Sequence, residues 1–294
     1  MAQKHCVPSF ELKTALDTGA EPVSVATADF NRDGVADIAV VNGGSDDVAT
    51  FSGKGQGEFG VASHHRVGKA PRGIAIADLN ADSNADIVVA NSGSNDLSLL
   101  MGDGRGGFGA ALAVPVGRGP LGLAVNDFDG DRKVEIAVVN SKSDTVSILS
   151  ADTKGEFTSR KDLGTGLQPS AILAEDTNDD GRLDLVVANS GSADLSVFAG
   201  QENGQFGPAQ RYASGKTPLA LAAGDFNNDA RRDLAVANFE SNRVSFMFGG
   251  DKGRFAATGN FQTVLRPLGG AAADFNRDGR IDLAIVDGLT PAVK

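Results

Sequence analysis

The sequence predicts an all-β chain folded as a β-propeller of six four-stranded blades, and three observations carry that expectation. An acidic motif begins at Asp29, Asp78, Asp127, Asp176, Asp225 and Asp274, each 49 residues after the last. A Pro keeps the same period (Pro22, Pro71, Pro120, Pro169, Pro218, Pro267), as does a Phe (Phe10, Phe59, Phe108, Phe157, Phe206, Phe255). A fixed offset of this size marks a repeat whose unit is one small supersecondary structure. Second, the apolar runs between Gly- and Asp-rich turns are too short for helices, and four of them fit in each unit. Third, the first strand of each unit is rich in Ala and Gly, as at Ala26 and Ala28, Ala75 and Ala77, Ala220, Ala222 and Ala223, and Gly269 to Ala273. Strands crowded around a central axis have no room for larger side chains.

The second unit shows the elements in order. Gly73 to Ala77 is the innermost strand, alternating Ile with Ala. Asp86 to Ala90 is a continuous apolar run, followed by Leu97 to Met101 and Phe108 to Val116, with turn-forming segments at 91–95 and 102–107 between them. A β-solenoid also repeats, but its coils are usually shorter and need no Pro-led return. The whole chain, 1–294, reads as one propeller domain. Phe10 to Gly19 aligns with the fourth strand of a unit and is expected to complete the last blade, joining the two ends in one sheet without a seam. The last unit offers only its first two strands, through Val286, before the chain's final residues. Six blades is the expected count, with seven as the alternative if the chain is a fragment.

Composition narrows the function. The chain has 27 Lys+Arg against 38 Asp+Glu, a formal net charge of −11, which argues against a nucleic-acid binder, since neutralising phosphates needs clustered cations. The single Cys, Cys6, closes no intrachain disulfide, and no Cys/His set has zinc-like spacing. No apolar run approaches the roughly 20 residues of a membrane helix, so no membrane insertion is expected. The first residues lack the apolar stretch of a secretory signal.

The chemistry sits in the nine-residue loop joining the first two strands of each unit. Oxygens at loop positions 1, 3, 5 and 9, with the carbonyl of position 7, are expected to converge on one cation. The sets are Asp29, Asn31, Asp33, Val35 and Asp37; Asp78, Asn80, Asp82, Asn84 and Asp86; and Asp127, Asp129, Asp131, Lys133 and Glu135. They continue with Asp176, Asn178, Asp180, Arg182 and Asp184; Asp225, Asn227, Asp229, Arg231 and Asp233; and Asp274, Asn276, Asp278, Arg280 and Asp282. Hard oxygen donors on a flexible loop suit Ca²⁺ better than Mg²⁺. Position 6 needs a positive φ, which Gly34, Gly181 and Gly279 supply freely. Ser83 and Ala230 stand there in the second and fifth loops, at a strain of about 1 kcal/mol. The third loop departs most, with Gly130 at position 4, Arg132 at position 6 and the longer Glu135 at position 9. An EF-hand is excluded by the missing helices and the missing Glu at position 12. Metal-free Asx turns would also fit the residue types. They would leave the 19 carboxylates at the ligand positions of the six loops, half of all Asp+Glu, crowded without a counter-charge.

These loops, together with the Gly57 to Gly60 step, resemble the FG-GAP/VCBS repeats of integrin α-subunit-like propellers. The resemblance covers almost the whole chain and implies up to six Ca²⁺ ions on the residues just named. It names no ligand, because such blades occur in adhesion proteins, bacterial surface and secreted proteins, and accessory domains of enzymes. The expected role is a non-enzymatic, extracytoplasmic interaction module for a protein or glycan, extracellular, cell-surface or periplasmic, and acting as a monomer. A polysaccharide lyase or hydrolase is the alternative, but His5, His64 and His65 recur with no Ser or Cys nucleophile. A lectin is a further alternative, weakened by a single Tyr, Tyr212, and no Trp. Lys69, Arg72, Arg118, Lys216 and Arg266 are expected at the mouth opposite the metal loops, where Glu21 and Gln168 interrupt the basic ring.

Overall fold

In the computed structural model, residues 15–152, 155–261 and 266–288 are described. Five antiparallel four-stranded sheets follow one another along the chain. The first comprises Pro22–Ala28, Asp37–Asn42, Asp47–Phe51 and Ser63–Arg66; the second Pro71–Ala77, Asp86–Asn91, Asp96–Leu100 and Leu112–Pro115. The third comprises Pro120–Asn126, Glu135–Asn140, Thr145–Ala151 and Phe157–Gly164; the fourth Pro169–Glu175, Asp184–Asn189, Asp194–Phe198 and Gln210–Ala213. The fifth comprises Pro218–Gly224, Asp233–Asn238, Arg243–Gly249 and Phe255–Phe261. A sixth sheet shows two strands among the described residues, Pro267–Ala273 and Asp282–Asp287. This is the repeated-blade architecture that the 49-residue period predicts.

Each periodic Pro opens an inner strand and pairs with the Asn, or in the sixth sheet Asp287, that ends the next strand. A bulge follows at once, between Pro22 and Ser24 in the first sheet and between Pro71 and Gly73 in the second. Pro donates no ladder hydrogen bond, so it belongs at the first residue of a strand beside an irregularity. The inner strand of the second unit therefore starts at Pro71, two residues before the predicted Gly73. Its outermost strand is also shorter than predicted: Phe108 makes an isolated bridge with Gly102, and pairing resumes at Leu112.

In the first five sheets the second strand is buried almost along its length, with side chains on both of its faces covered. Ala39 and Val41 face Ile87, Val89 and Leu100 of the second sheet. Val88 and Ala90 of that sheet in turn face Ile136, Val138 and Leu149 of the third. The same arrangement joins third to fourth, fourth to fifth and fifth to sixth sheets. The core is thus five thin apolar layers between stacked sheets rather than one central mass. Phe–Phe edge contacts seal two of the layers, Phe30 with Phe108 at 5.2 Å and Phe128 with Phe206 at 5.7 Å between ring centroids.

The links between sheets follow a rule. The residue ending each hairpin between second and third strands has positive φ: Asp46, Asn95, Asp144, Ala193 and Asn242. In four of these five its side chain accepts the amide of a linker residue that itself has positive φ: Ala70 (2.8 Å), Gly119 (2.9 Å), Gln168 (2.7 Å) and Arg266 (2.9 Å). Asx side chains tolerate the left-handed region and accept local amides, which suits them to this clasp. Ala193 offers no side-chain acceptor.

The predicted closing strand, Phe10 to Gly19, falls partly on residues outside those described. Residues 15–19 carry no strand, and Leu16 packs against Val40, Ala49 and Phe51 of the first sheet, as Val114 at the same register joins the layer with Val138 and Leu149 of the third.

Candidate metal loops

All six acidic loops share one scaffold of hydrogen bonds. The position 1 carboxylate receives two loop amides: Asp29 from Asp33 (3.1 Å) and Gly34 (2.8 Å), Asp274 from Asp278 (3.0 Å) and Gly279 (2.8 Å). The position 5 carboxylate receives the amide of position 7, as Asp33 does from Val35 and Asp229 from Arg231. The Gly34 amide leads the causes that hold Asp29 below the usual carboxylate range, and the Asn84 amide does the same for Asp82. Each amide occupies one lone pair, so the exposed carboxylates keep acceptor capacity for a cation.

Positive φ occurs at two positions of every loop. Position 6 carries it as expected, at Gly34 (83°), Ser83 (66°), Gly181 (83°), Ala230 (66°) and Gly279 (84°). Position 4 carries it too, at Arg32, Ala81, Asp179, Asn228 and Arg277. The third loop is therefore no displaced copy: Gly130 (81°) relieves position 4, and Arg132 (72°) bears the strain at position 6.

Position 9 is the buried anchor. Asp37 accepts the Phe30 amide (2.8 Å) on one oxygen and the Gly53 amide (2.7 Å) on the other. Asp86, Asp184 and Asp233 repeat this with Gly102, Gly200 and Gly249. A Cβ on any of these four glycines would lie 2.3–2.4 Å from the carbonyl of loop position 8. That glycine belongs to the site, and its 49-residue recurrence was the signal for it. Burial pushes Asp86, Asp184 and Asp233 upward, against the pull of these amides.

The third loop differs at both partners. Ala151 replaces the glycine and Glu135 replaces Asp, and one Glu135 oxygen accepts the Phe128 amide (2.8 Å). Oxygens of Asp127, Asp129 and Glu135 lie within 4.8 Å of one another, the one such carboxylate cluster among the described residues. Burial, followed by the charges of Asp129, Asp127 and Asp131, pushes Glu135 up to about 7. The loop that departs most from the sequence pattern thus gathers its acids most closely. Its position 3 is a carboxylate, Asp129, where Asn stands in the other five.

In the other loops the donors are arranged but turned partly on one another. Asn31, Asn80 and Asn227 donate to Asp33, Asp82 and Asp229 at 2.9–3.0 Å, and Asn178 leans onto Asp184 at 3.2 Å. Cations reach two position 5 groups: Arg182 meets Asp180 at 2.7 Å, and Lys133 stands 3.9 Å from Asp131. The position 7 side chains Val35, Asn84, Lys133, Arg182, Arg231 and Arg280 vary freely because only their carbonyl is a predicted donor. A groove beside the third loop is lined by Asp127, Asp129, Arg182, Gln201, Glu202 and Asn203.

Several of the other singled-out residues have structural partners, and His5 lies outside the described residues. His64 bonds Asp47 at 2.9 Å, as Arg211 does Asp194 in the fourth sheet. Of the predicted basic rim, Lys69 is paired with Asp46 at 2.7 Å and Arg266 lies over the Phe239 ring. Among the described residues no helix is long and apolar enough to cross a membrane.

The FG-GAP-like repeat family matches residues 29–89, 78–138, 127–187, 176–236 and 225–285. No curated protein matches the sequence. Among solved structures, a protein of unknown function from Desulfotomaculum acetoxidans superposes at TM-score 0.69 and 14% identity, over 94% of this chain and 82% of that one. A lectin from Agrocybe aegerita that recognises non-reducing terminal N-acetylglucosamine gives 0.60 and 16%, over 90% and 74%. Virginiamycin B lyase from Staphylococcus aureus gives 0.61 and 13%, over 91% and 78%. These likenesses show a common fold. The coverages put the three solved chains at about 340–360 residues, close to seven units of this length.

Proposed function

Because the chain belongs to the FG-GAP-like repeat family, we propose that it is a calcium-held, non-enzymatic propeller that works outside the cytoplasm as a binding module for a protein or glycan. The observation that carries this reading is the convergence of Asp127, Asp129 and Glu135 on one point of a loop scaffold repeated six times. An all-oxygen donor set on a flexible loop fits Ca²⁺, which accepts six to eight such ligands. In each loop the carboxylates of positions 1, 5 and 9, the oxygen of position 3 and the carbonyl of position 7 would hold the ion, which supplies charge neutralisation and rigidity. Six ions would take the formal charge from −11 to about +1, so the acidity of the chain answers to its metal loops. Sites of the extracellular class, with dissociation constants of about 10⁻⁴–10⁻³ M, fill where calcium is millimolar and empty in cytosol.

The fold leaves the ligand open, since it serves a lectin and a lyase alike. A binding role accords better with the acids, half of which stand at the loops' ligand positions, and with His64, which is engaged as a clasp to Asp47.

Glu135 provides the test. Its folded-state pKa of about 7 lies above the ordinary carboxyl value, so the neutral acid favours the metal-free fold. That contribution is complete below about pH 4.5 and is lost as pH rises through 7. In EDTA the melting temperature therefore falls between pH 5 and pH 8. Calcium requires the anion, so affinity at this loop weakens about tenfold per pH unit below 7. Calorimetric titration of the protein and of Glu135→Gln at pH 5.5 and 7.5 checks both. A pH-independent affinity shared by the two proteins would overturn the assignment.

A further inference from the structure

The fourth loop carries the sequence pattern in full, with Asp176, Asn178, Asp180, Gly181 and Asp184 in place, but its side chains are engaged differently. Its position 2 residue is Thr177, where the other five loops have Phe30, Leu79, Phe128, Phe226 and Phe275. The Thr177 hydroxyl and amide both donate to Asp184, Asn178 donates to it at 3.2 Å, and the Gly200 amide adds a fourth donor at 2.7 Å. Asp37, Asp86 and Asp233 accept two amides each. A carboxylate offers about four lone-pair sites, so the chain itself fills the acceptors of Asp184 and leaves half of those on its three counterparts.

The position 5 carboxylate of this loop is taken as well. Arg182, at position 7, turns back onto Asp180 at 2.7 Å and donates its Nε to the Gly200 carbonyl at 3.2 Å. Arg231, at the same position of the fifth loop, turns outward to Asp251 at 2.9 Å and leaves Asp229 to Asn227. A guanidinium on Asp180 also accounts for the turn of Asn178 toward Asp184. Asn31, Asn80 and Asn227, with no cation on position 5, donate to that position instead. Thr177 and Arg182 together thus give the fourth loop a hydroxyl donor and a positive charge of its own.

We propose, resting on the calcium reading above, that Arg182 is the resident cation of the fourth loop and that this loop takes calcium last. An ion can enter only after Arg182 leaves Asp180 and a donor leaves Asp184. Charge-assisted hydrogen bonds are the strong ones, so both displacements oppose binding. A guanidinium held at the loop also repels an incoming divalent ion. The first loop carries Val35 at position 7 and has neither obstacle. As calcium rises, the first loop fills while the fourth remains closed on its own side chains.

The position 6 glycine amides report the two loops separately, because Gly34 and Gly181 donate to the position 1 carboxylates Asp29 and Asp176. In a calcium titration of the full chain followed by NMR of isotope-labelled glycine, the Gly181 midpoint should lie at least about tenfold above the Gly34 midpoint. Arg182→Ala should bring the Gly181 midpoint down by about tenfold, and Thr177→Val should move it in the same direction. Lys161→Ala, which removes a cation standing on Gln205 outside the loop, should leave it in place. Coincident Gly34 and Gly181 midpoints in the parent would overturn the order of filling and leave the calcium reading intact. So would a Gly181 midpoint that neither Arg182→Ala nor Thr177→Val moves, or one that Lys161→Ala moves as far as Arg182→Ala does. Glycine resonances that stay fixed up to millimolar calcium would overturn the calcium reading itself, and the order of filling with it.

Discussion

Removing calcium with EDTA lowers the melting temperature of this protein by about 15 °C or more at pH 7.5. The magnitude follows from linkage: an ion that binds only the folded state and is present at ten times its dissociation constant stabilises by about 1.4 kcal/mol. Six such loops together contribute about 8 kcal/mol, and a chain of this size shifts by about 2–4 °C for each kcal/mol. The structural cause lies in the loops. Five of the six set their carboxylates beside a buried position 9 group, and burial already works against ionisation at Asp86, Asp184 and Asp233. Calcium bound there would reverse that opposition by neutralising the group. Mg²⁺ at the same concentration should restore much less, because it holds its waters and demands octahedral geometry. Thermal scans in millimolar calcium, magnesium and EDTA check the expectation, and coincident curves would contradict it.

The second large effect concerns the inner strands. Gly73→Ala should destabilise the protein by about 4 kcal/mol, enough to lower the melting temperature by about 10 °C. A Cβ at Gly73 would sit 2.0 Å from the Leu121 carbonyl oxygen of the adjacent inner strand, and backbone cannot yield as a flexible side chain does. That carbonyl leaves the ladder because the third sheet's bulge spans Leu121 and Gly122, between the Pro120–Asn140 and Leu123–Val138 pairs. Inserting the methyl group forces the two inner strands apart by more than an ångström and loosens the layer behind them. Gly269→Ala is the matched control. It occupies the same repeat position in the sixth sheet, where a Cβ meets nothing within 4 Å, and should change stability by less than about 0.5 kcal/mol. Equal effects of the two substitutions in denaturant unfolding would refute the packing argument.

Most of the architecture could be read from periodicity because each unit repeats one local solution. Pro at the head of the inner strand, Ala and Gly along it, and the apolar second strand all reflect steric demands met within about twenty residues. The positive φ at loop position 6 was legible for the same reason, since Gly34, Gly181 and Gly279 advertise it. Position 4 was hidden because Arg32, Ala81 and Arg277 adopt the conformation without looking like turn residues, and Asp179 and Asn228 stand among other Asx residues that mask the signal. Residues whose role depends on a distant partner were missed. Gly53, Gly102, Gly200 and Gly249 matter because they bring an amide to the position 9 carboxylate, 16 residues earlier, so close to the position 8 carbonyl that no Cβ fits. The exchange of that pair for Glu135 and Ala151 looks like decay in a single loop. It reads as a coordinated change once the two residues are placed together. The end-to-end closing strand was inferred from alignment of Phe10 with Phe59; half of it lies outside the described residues, and Leu16 meets the first sheet as Val114, at the same register, meets the third. Alignment identifies the kind of strand a segment can form. Which sheet it joins is decided by packing.

The loops' capacity for calcium is measured most directly by counting bound ions. Equilibrium dialysis at millimolar free calcium, followed by metal analysis, should find several ions per chain and up to six. Replacing Asp129 by Ala together with Glu135 by Gln should remove one of them and leave the rest. Calcium at the level of the dialysis buffer in both proteins would contradict the account.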